Sequence, residues 1–144
     1  MSLIVARTED VAACHDLRRT VFVDEQGVPE AEEVDGRDAG AIHLLARLDG
    51  VAVGTARILL APPTGKIGRV CVLPAHRGTG VGVALVEAAV GVLREEPGIE
   101  TATLGAQVHA LDFYRNRGFV ARGPIFDDAG LAHRQMVLSL GPRD

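Results

Sequence analysis

The sequence predicts an α/β (α+β) protein, a mixed and mostly antiparallel sheet of about six to seven strands flanked by helices. Three stretches carry that expectation. Lys66 to Arg94 contains a β-branched run from Ile67 to Leu73, stopped by Pro74, then a glycine-rich corner and an apolar helix. Ile42 to Leu48 and Val51 to Leu60 are apolar runs joined by Asp49-Gly50, the usual two-residue hairpin signal. Beyond Pro97-Gly98, strand-like and helix-like runs alternate again, which puts strands on both sides of a buried crossover helix.

Taken in order, Leu3-Ile4-Val5 reads as a first strand. Thr8 is positioned to cap the next helix, with Glu9 and Asp10 in its first turn, where the helix dipole favours acid. Val11, Cys14, Leu17 and Val21 recur at helical spacing and predict one buried stripe, beside which Arg18 and Arg19 read as solvated. Gly27 and Pro29 break that helix. Glu30 to Gly36 is acidic and reads as a polar connecting loop.

The hairpin follows, and Ala61-Pro62-Pro63-Thr64-Gly65 turns it into the central strand, which completes an antiparallel meander. The helix after the glycine corner is apolar almost all round. Val81, Ala84, Leu85, Ala88 and Val92 lie on one side and Val83, Val86, Val90 and Leu93 on the other, so it should be largely buried. Ile99 to Ala106 reads as a strand with Ala102, Leu104 and Ala106 on one face. Ala110 to Arg117 is a short helix closed by Gly118, with Phe119 folding back over it. Val120 to Arg122 is brief, and His133 to Leu140 makes a last strand with Met136, Leu138 and Leu140 on one face.

One domain spanning residues 1–144 fits this length. An apolar fraction of 47% supports a sizeable core despite 3% aromatics. The net charge of −4 argues against nucleic acid or an anionic membrane surface as partner. No run approaches the ~18 apolar residues a membrane span needs. Cys14 and Cys71 form neither a disulfide framework nor a metal cluster and read as small buried hydrophobes. A soluble, cytoplasmic protein without metal is expected, with a homodimer as one assembly open to it.

The corner Arg77-Gly78-Thr79-Gly80-Val81-Gly82 is where the chemistry starts. The first N–H groups of a helix lack partners and sit at the positive end of its dipole. Glycines let a phosphate reach that backbone, and Arg77 adds charge at its entrance. The plainer reading is a tight turn whose glycines serve only backbone geometry. A P-loop is excluded because no Lys follows, and a dinucleotide fingerprint because the glycines repeat every second residue.

Arg77-x-x-Gly80-x-Gly82, preceded by Val72-x-Pro74, resembles the acyl-CoA pyrophosphate loop of the GNAT superfamily of N-acetyltransferases. A second stretch, Leu104-Gly105-Ala106-Gln107 through Phe113-Tyr114 to Gly118-Phe119, resembles that family's other hallmark. Val21-Phe22-Val23, Glu25-Gln26, Asp35-Gly36, Asp38, His43, Gly54, Arg57, Gly68 to Val72, and the tail through Phe126, His133 and Met136 look like its ElaA-type branch.

The resemblance implies the acyl-CoA N-acyltransferase fold, with acetyl-CoA as co-substrate. It also implies direct transfer of an acetyl group to a primary amine of a small molecule or peptide. The main chain of Val70, Cys71 and Val72 would pair with the pantetheine arm. Arg77, Gly78, Thr79, Gly80, Val81, Gly82 and Val83 would hold the pyrophosphate. Gln107 stands where relatives carry Asn, and Tyr114, the only tyrosine, falls at the general-acid position.

Glu25 is the first candidate for contact with the amine or with the water that deprotonates it, ahead of Asp35, His43 and His109. His43 inside an apolar strand also reads as a hydrogen-bonded core histidine. The acidic stretch from Glu30 to Asp38 fits either a cationic acceptor or a solvated loop. Two other readings stand beside acetyl transfer: a non-catalytic acyl-CoA-binding or regulatory domain, and an acyltransferase like the acyl-homoserine-lactone synthases.

Overall fold

The computed structural model describes residues 2–141. Its strands are β1 (Leu3–Thr8), β2 (Ile42–Leu48), β3 (Val51–Ala61), β4 (Thr64–Val72), β5 (Thr101–Gln107), β6 (Val120–Asp128) and β7 (Leu131–Ser139). They form one sheet in the order β1-β2-β3-β4-β5-β7-β6. All neighbours are antiparallel except β4 and β5. The helices are α1 (Val11–Arg18), α2 (Glu30–Glu33), α3 (Val81–Glu95) and α4 (Leu111–Arg115).

The sheet is clad on both faces, and the apolar runs say why. In β2, Leu44 packs with Leu85, Val86 and Leu93 of α3, whereas its neighbour Leu45 packs with Cys14, Leu17 and Val21 beside α1. Successive strand residues point to opposite faces, so a strand covered on both sides is apolar at every position. Helix α3 can close on β3 because residue 54 is glycine. A Cβ there would lie 2.9 Å from Leu85 Cδ1 and 3.0 Å from the Cys71 carbonyl oxygen.

Several expectations are corrected. The cap of α1 is Asp10, whose carboxylate accepts from the Ala13 N–H at 3.1 Å, while Thr8 Oγ1 accepts from the Asp10 N–H. Arg18 is not solvated but fully buried. The first helix does not simply end: it widens into a π-helical stretch, Arg19–Glu25, in which the Gln26 N–H reaches Val21 O five residues back. Strand β6 runs for nine residues rather than three. It is an exposed edge strand, so no apolar alternation announces it.

Two irregularities prepare the site. Thr55 faces Cys71 and Arg57 faces Gly68, so β4 takes three steps where β3 takes two, and Arg69 absorbs the extra residue at φ 51°. Strands β4 and β5 then pair only over Thr64–Lys66 and Thr101–Thr103 before they part.

Candidate active site

Beyond Lys66 the β5-facing edge of β4 has no strand partner, and the two strands diverge around a cavity of about 800 Å³. Val70, Cys71, Val72, Arg77, Gly82, Gln107 and Tyr114 line it from the cofactor side expected from sequence, and Glu25 lines it as well. A half-open strand edge offers N–H and C=O groups to an extended, amide-bearing ligand. Cys71 contributes main chain only: burial pushes its thiol up to about 12.

The glycine corner leads from this edge into α3. Gly80 is the N-cap at φ 91°, and a Cβ there would meet nothing within 4 Å, so the space beside the loop is open. At Gly82 a Cβ would stand 3.5 Å from Phe113 Cζ and 3.8 Å from Val72 Cγ2, filling the gap between the first turn of α3 and the cavity wall. Val81 is buried in the core and Val83 half-buried, which leaves the backbone of this turn to face a ligand. Gly78 and Thr79 complete the loop, the Thr79 hydroxyl donating to His76 O at 2.5 Å. The first-turn N–H groups of a 15-residue helix and an open glycine loop fit a diphosphate.

Arg77 stands at the junction of loop and cavity. Its Nε donates to Val72 O at 3.0 Å, and its two terminal nitrogens donate to the two carboxylate oxygens of Glu25, each at 2.6 Å. Those hydrogen bonds hold the Glu25 carboxyl below the usual carboxylate range.

Tyr114 is carried by α4. Phe113 and Phe119 meet its ring edge-on, with centroids 5.0 and 6.0 Å away. Burial pushes its phenol up to about 12, so the proton stays on the oxygen through neutral pH. Gln107 spans the cavity wall: its amide donates to Gln26 Oε1 at 2.9 Å and its carbonyl accepts from His109 Nε2 at 2.6 Å.

The acidic segment is neither a plain connecting loop nor an open anionic surface. Asp35 is bound through both oxygens by Arg57 at 2.8 Å, which holds its carboxyl well below the usual range. Asp38 accepts from Arg18 at 2.8 Å and lies 2.9 Å from His15 Nε2. The Arg69 guanidinium donates to the carbonyls of Glu32 and Glu33. His43 is a core histidine: Nε2 donates to Asp38 O at 2.9 Å, and Nδ1 accepts from Arg18 at 3.2 Å.

Sequence reasoning missed this arginine cluster, although a charged residue at 57 inside an apolar strand was a signal, since a buried charge must be paired. It also missed Phe126 and His133 as wall residues. Strand parity was the available clue, because His133 falls on the face of β7 opposite to the buried Met136. Among the described residues no group of three or more His, Cys, Asp or Glu side chains is arranged to hold a metal ion. Nor is any helix there long and apolar enough to cross a membrane.

The profile of a family described as acetyltransferase (GNAT) domain matches residues 7–140. An uncharacterised N-acetyltransferase of Bacillus subtilis, YjcF, is 33% identical over 139 residues, covering 95% of this chain and 99% of its own. Protein ElaA of Escherichia coli is 34% identical over 126 residues, covering 84% and 82%. Its crystal structure aligns over 96% of this chain and 99% of its own at a TM-score of 0.83 and 28% identity. An acyl-CoA N-acyltransferase from Pseudomonas aeruginosa aligns over 96% and 100% at a TM-score of 0.85 and 31% identity.

Proposed function

The chain belongs to the acetyltransferase (GNAT) family, in its ElaA-type branch, and on that premise we propose that it transfers the acetyl group of acetyl-CoA directly to a primary amine of a small molecule or peptide. The observation that carries this reading is the parting of β4 from β5. It leaves a strand edge at Val70–Val72 for the pantetheine arm, and that edge runs straight into a glycine loop and helix N-terminus suited to a diphosphate. Acetyl-CoA supplies the activated acyl thioester. The residues of the chain bind it, orient it and move protons.

An N–H of the β4 edge beside Val72 polarises the acyl carbonyl. Tyr114, protonated and sunk in the same cavity, supplies the proton for the departing sulfur. Transfer without a covalent acyl-enzyme is supported by Cys71, whose thiol packs in the core with Cys14 and Leu45 and, pushed up to about 12, carries almost no thiolate at neutral pH. Two unpaired buried thiols also suit the reducing cytoplasm in which we place the protein.

Glu25 and the pyrophosphate compete for the same two N–H groups of Arg77. Occupation of the loop therefore releases the Glu25 carboxylate to the acceptor side, where it attracts the ammonium. The test is a panel of primary amines assayed for thiol release from acetyl-CoA. Acetylated amine formed one-for-one with free thiol supports the reading. Acetyl-CoA binding with no thiol release across the panel supports a binding domain instead.

A further inference from the structure

An alkyl ammonium titrates near pH ~10, so the acceptor must lose a proton before its lone pair can attack. The groups that the sequence offered for this are Glu25, Asp35, His43 and His109. Asp35 has both oxygens on Arg57, and Glu25, paired with Arg77 until the loop is occupied, then serves as the carboxylate that attracts the ammonium. His43 uses both ring nitrogens in the core, and His109, an exposed residue, gives its Nε2–H to Gln107 and keeps a bare Nδ1.

His133 is arranged differently. Its Nδ1 lies 2.8 Å from Leu131 O, which can only accept, so Nδ1 carries the proton and Nε2 of the neutral ring keeps its lone pair. The ring stacks on Phe126 at 5.8 Å between centroids and 27° between planes, and both side chains line the cavity that holds Tyr114. Strand pairing sets His133 directly opposite Gln107, the last residue of β5, where β5 has parted from β4.

We propose that His133 is the general base of this site, taking a proton from the acceptor ammonium at Nε2. The proposal rests on the N-acetyltransferase reading and deepens it. An ammonium N–H bond breaks and an Nε2–H bond forms, leaving an imidazolium and a neutral amine. The amine lone pair forms the C–N bond as the C–S bond breaks. The sulfur takes the Tyr114 proton, and the second nitrogen proton replaces it on the phenol. The imidazolium returns one proton to solvent. The charged groups lining the cavity are Asp128 of β6, Lys66 and Arg69 of β4, Arg57 of β3, Arg77, Glu25 and the acidic segment with Glu32, Glu33, Asp35 and Arg37; His109 after β5 lines it as well.

Nitrogen NMR of histidine-labelled protein tests the geometry without acceptor or cofactor. His133 is expected as the Nδ1–H tautomer with a bare Nε2, and His43 and His109 as Nε2–H tautomers. An Nε2–H tautomer at His133 overturns the proposal. The most active amine of the panel then tests the role. His133→Gln and His133→Ala should lower kcat near neutral pH by ~10²-fold. The deficit should shrink as rising pH supplies free amine, acetyl-CoA affinity should hold, and added imidazole should restore part of the His133→Ala rate. Variants whose kcat follows the wild-type pH profile, or falls equally at every pH with a lowered Tm, overturn it. No thiol release by the wild type with any amine overturns the transferase reading itself, and with it the role of His133.

Discussion

Arg77 is the residue on which both halves of the site turn, because it hydrogen-bonds to the end of β4 and to the Glu25 carboxylate at once. Glu25→Gln removes the competitor for its guanidinium. Acetyl-CoA should then bind at least as tightly by calorimetry while the KM for the amine rises severalfold. A tenfold weaker acetyl-CoA affinity would show instead that Glu25 serves to position Arg77. Tyr114→Phe keeps the ring against Phe113 and Phe119 and removes only the proton. It should lower kcat by ~10²-fold or more and leave acetyl-CoA binding nearly unchanged. Full turnover in that variant at every pH would make Tyr114 a packing residue.

At the scale of elements, α3 has to satisfy the core and the loop together. Its inward face buries Val81, Leu85, Val86, Ala89 and Leu93. Leu85→Ala should cost about 2–5 kcal/mol, read as a lower denaturant midpoint with an unchanged slope. Gly82 tests the other end of the helix. A Cβ there makes only ordinary contacts, so Gly82→Val should fold. Its branches would still intrude where phosphate must approach, raising the acetyl-CoA Kd at least tenfold, about 1.4 kcal/mol. Gly80→Val is a poorer probe, since φ of 91° strains any side chain whether or not a ligand binds.

The elements were legible in the sequence where burial has a period. The Asp49-Gly50 hairpin, the 81–95 helix and the Ala102, Leu104, Ala106 face all announce themselves through it. Strand β6 does not, because an edge strand exposed along most of its length buries too little to leave a pattern. The glycine corner and the Phe113-Tyr114 stretch could be singled out because they are patterns of fixed local spacing. The arginine cluster and the histidine base were not, since Arg18, Arg57 and Arg69 meet Asp35 and Asp38 across 19 to 34 residues of sequence.

For the whole molecule, that cluster ties α1, β3 and the β4 bulge to the acidic segment and so fixes one wall of the cavity. The tie has a pH signature. Asp35 has its carboxyl depressed from an ordinary 3.8 by Arg57. Its contribution is therefore complete above that value and is lost as pH falls below it. Asp35→Asn should lower Tm at neutral pH and flatten the fall in Tm between about pH 4 and pH 2. Parallel melting profiles for variant and wild type would place Asp35 outside the stabilising network.

The central claim is that the gap between β4 and β5 receives the acyl-CoA, and a crystal structure of the protein with coenzyme A tests it most directly. The pantetheine arm should lie along Val70–Val72, with the pyrophosphate on the Gly78–Gly82 backbone, the sulfur near Tyr114, and Glu25 released from Arg77. Coenzyme A seated elsewhere, or bound in the gap with the Glu25–Arg77 pair intact and no phosphate on the loop, would contradict it.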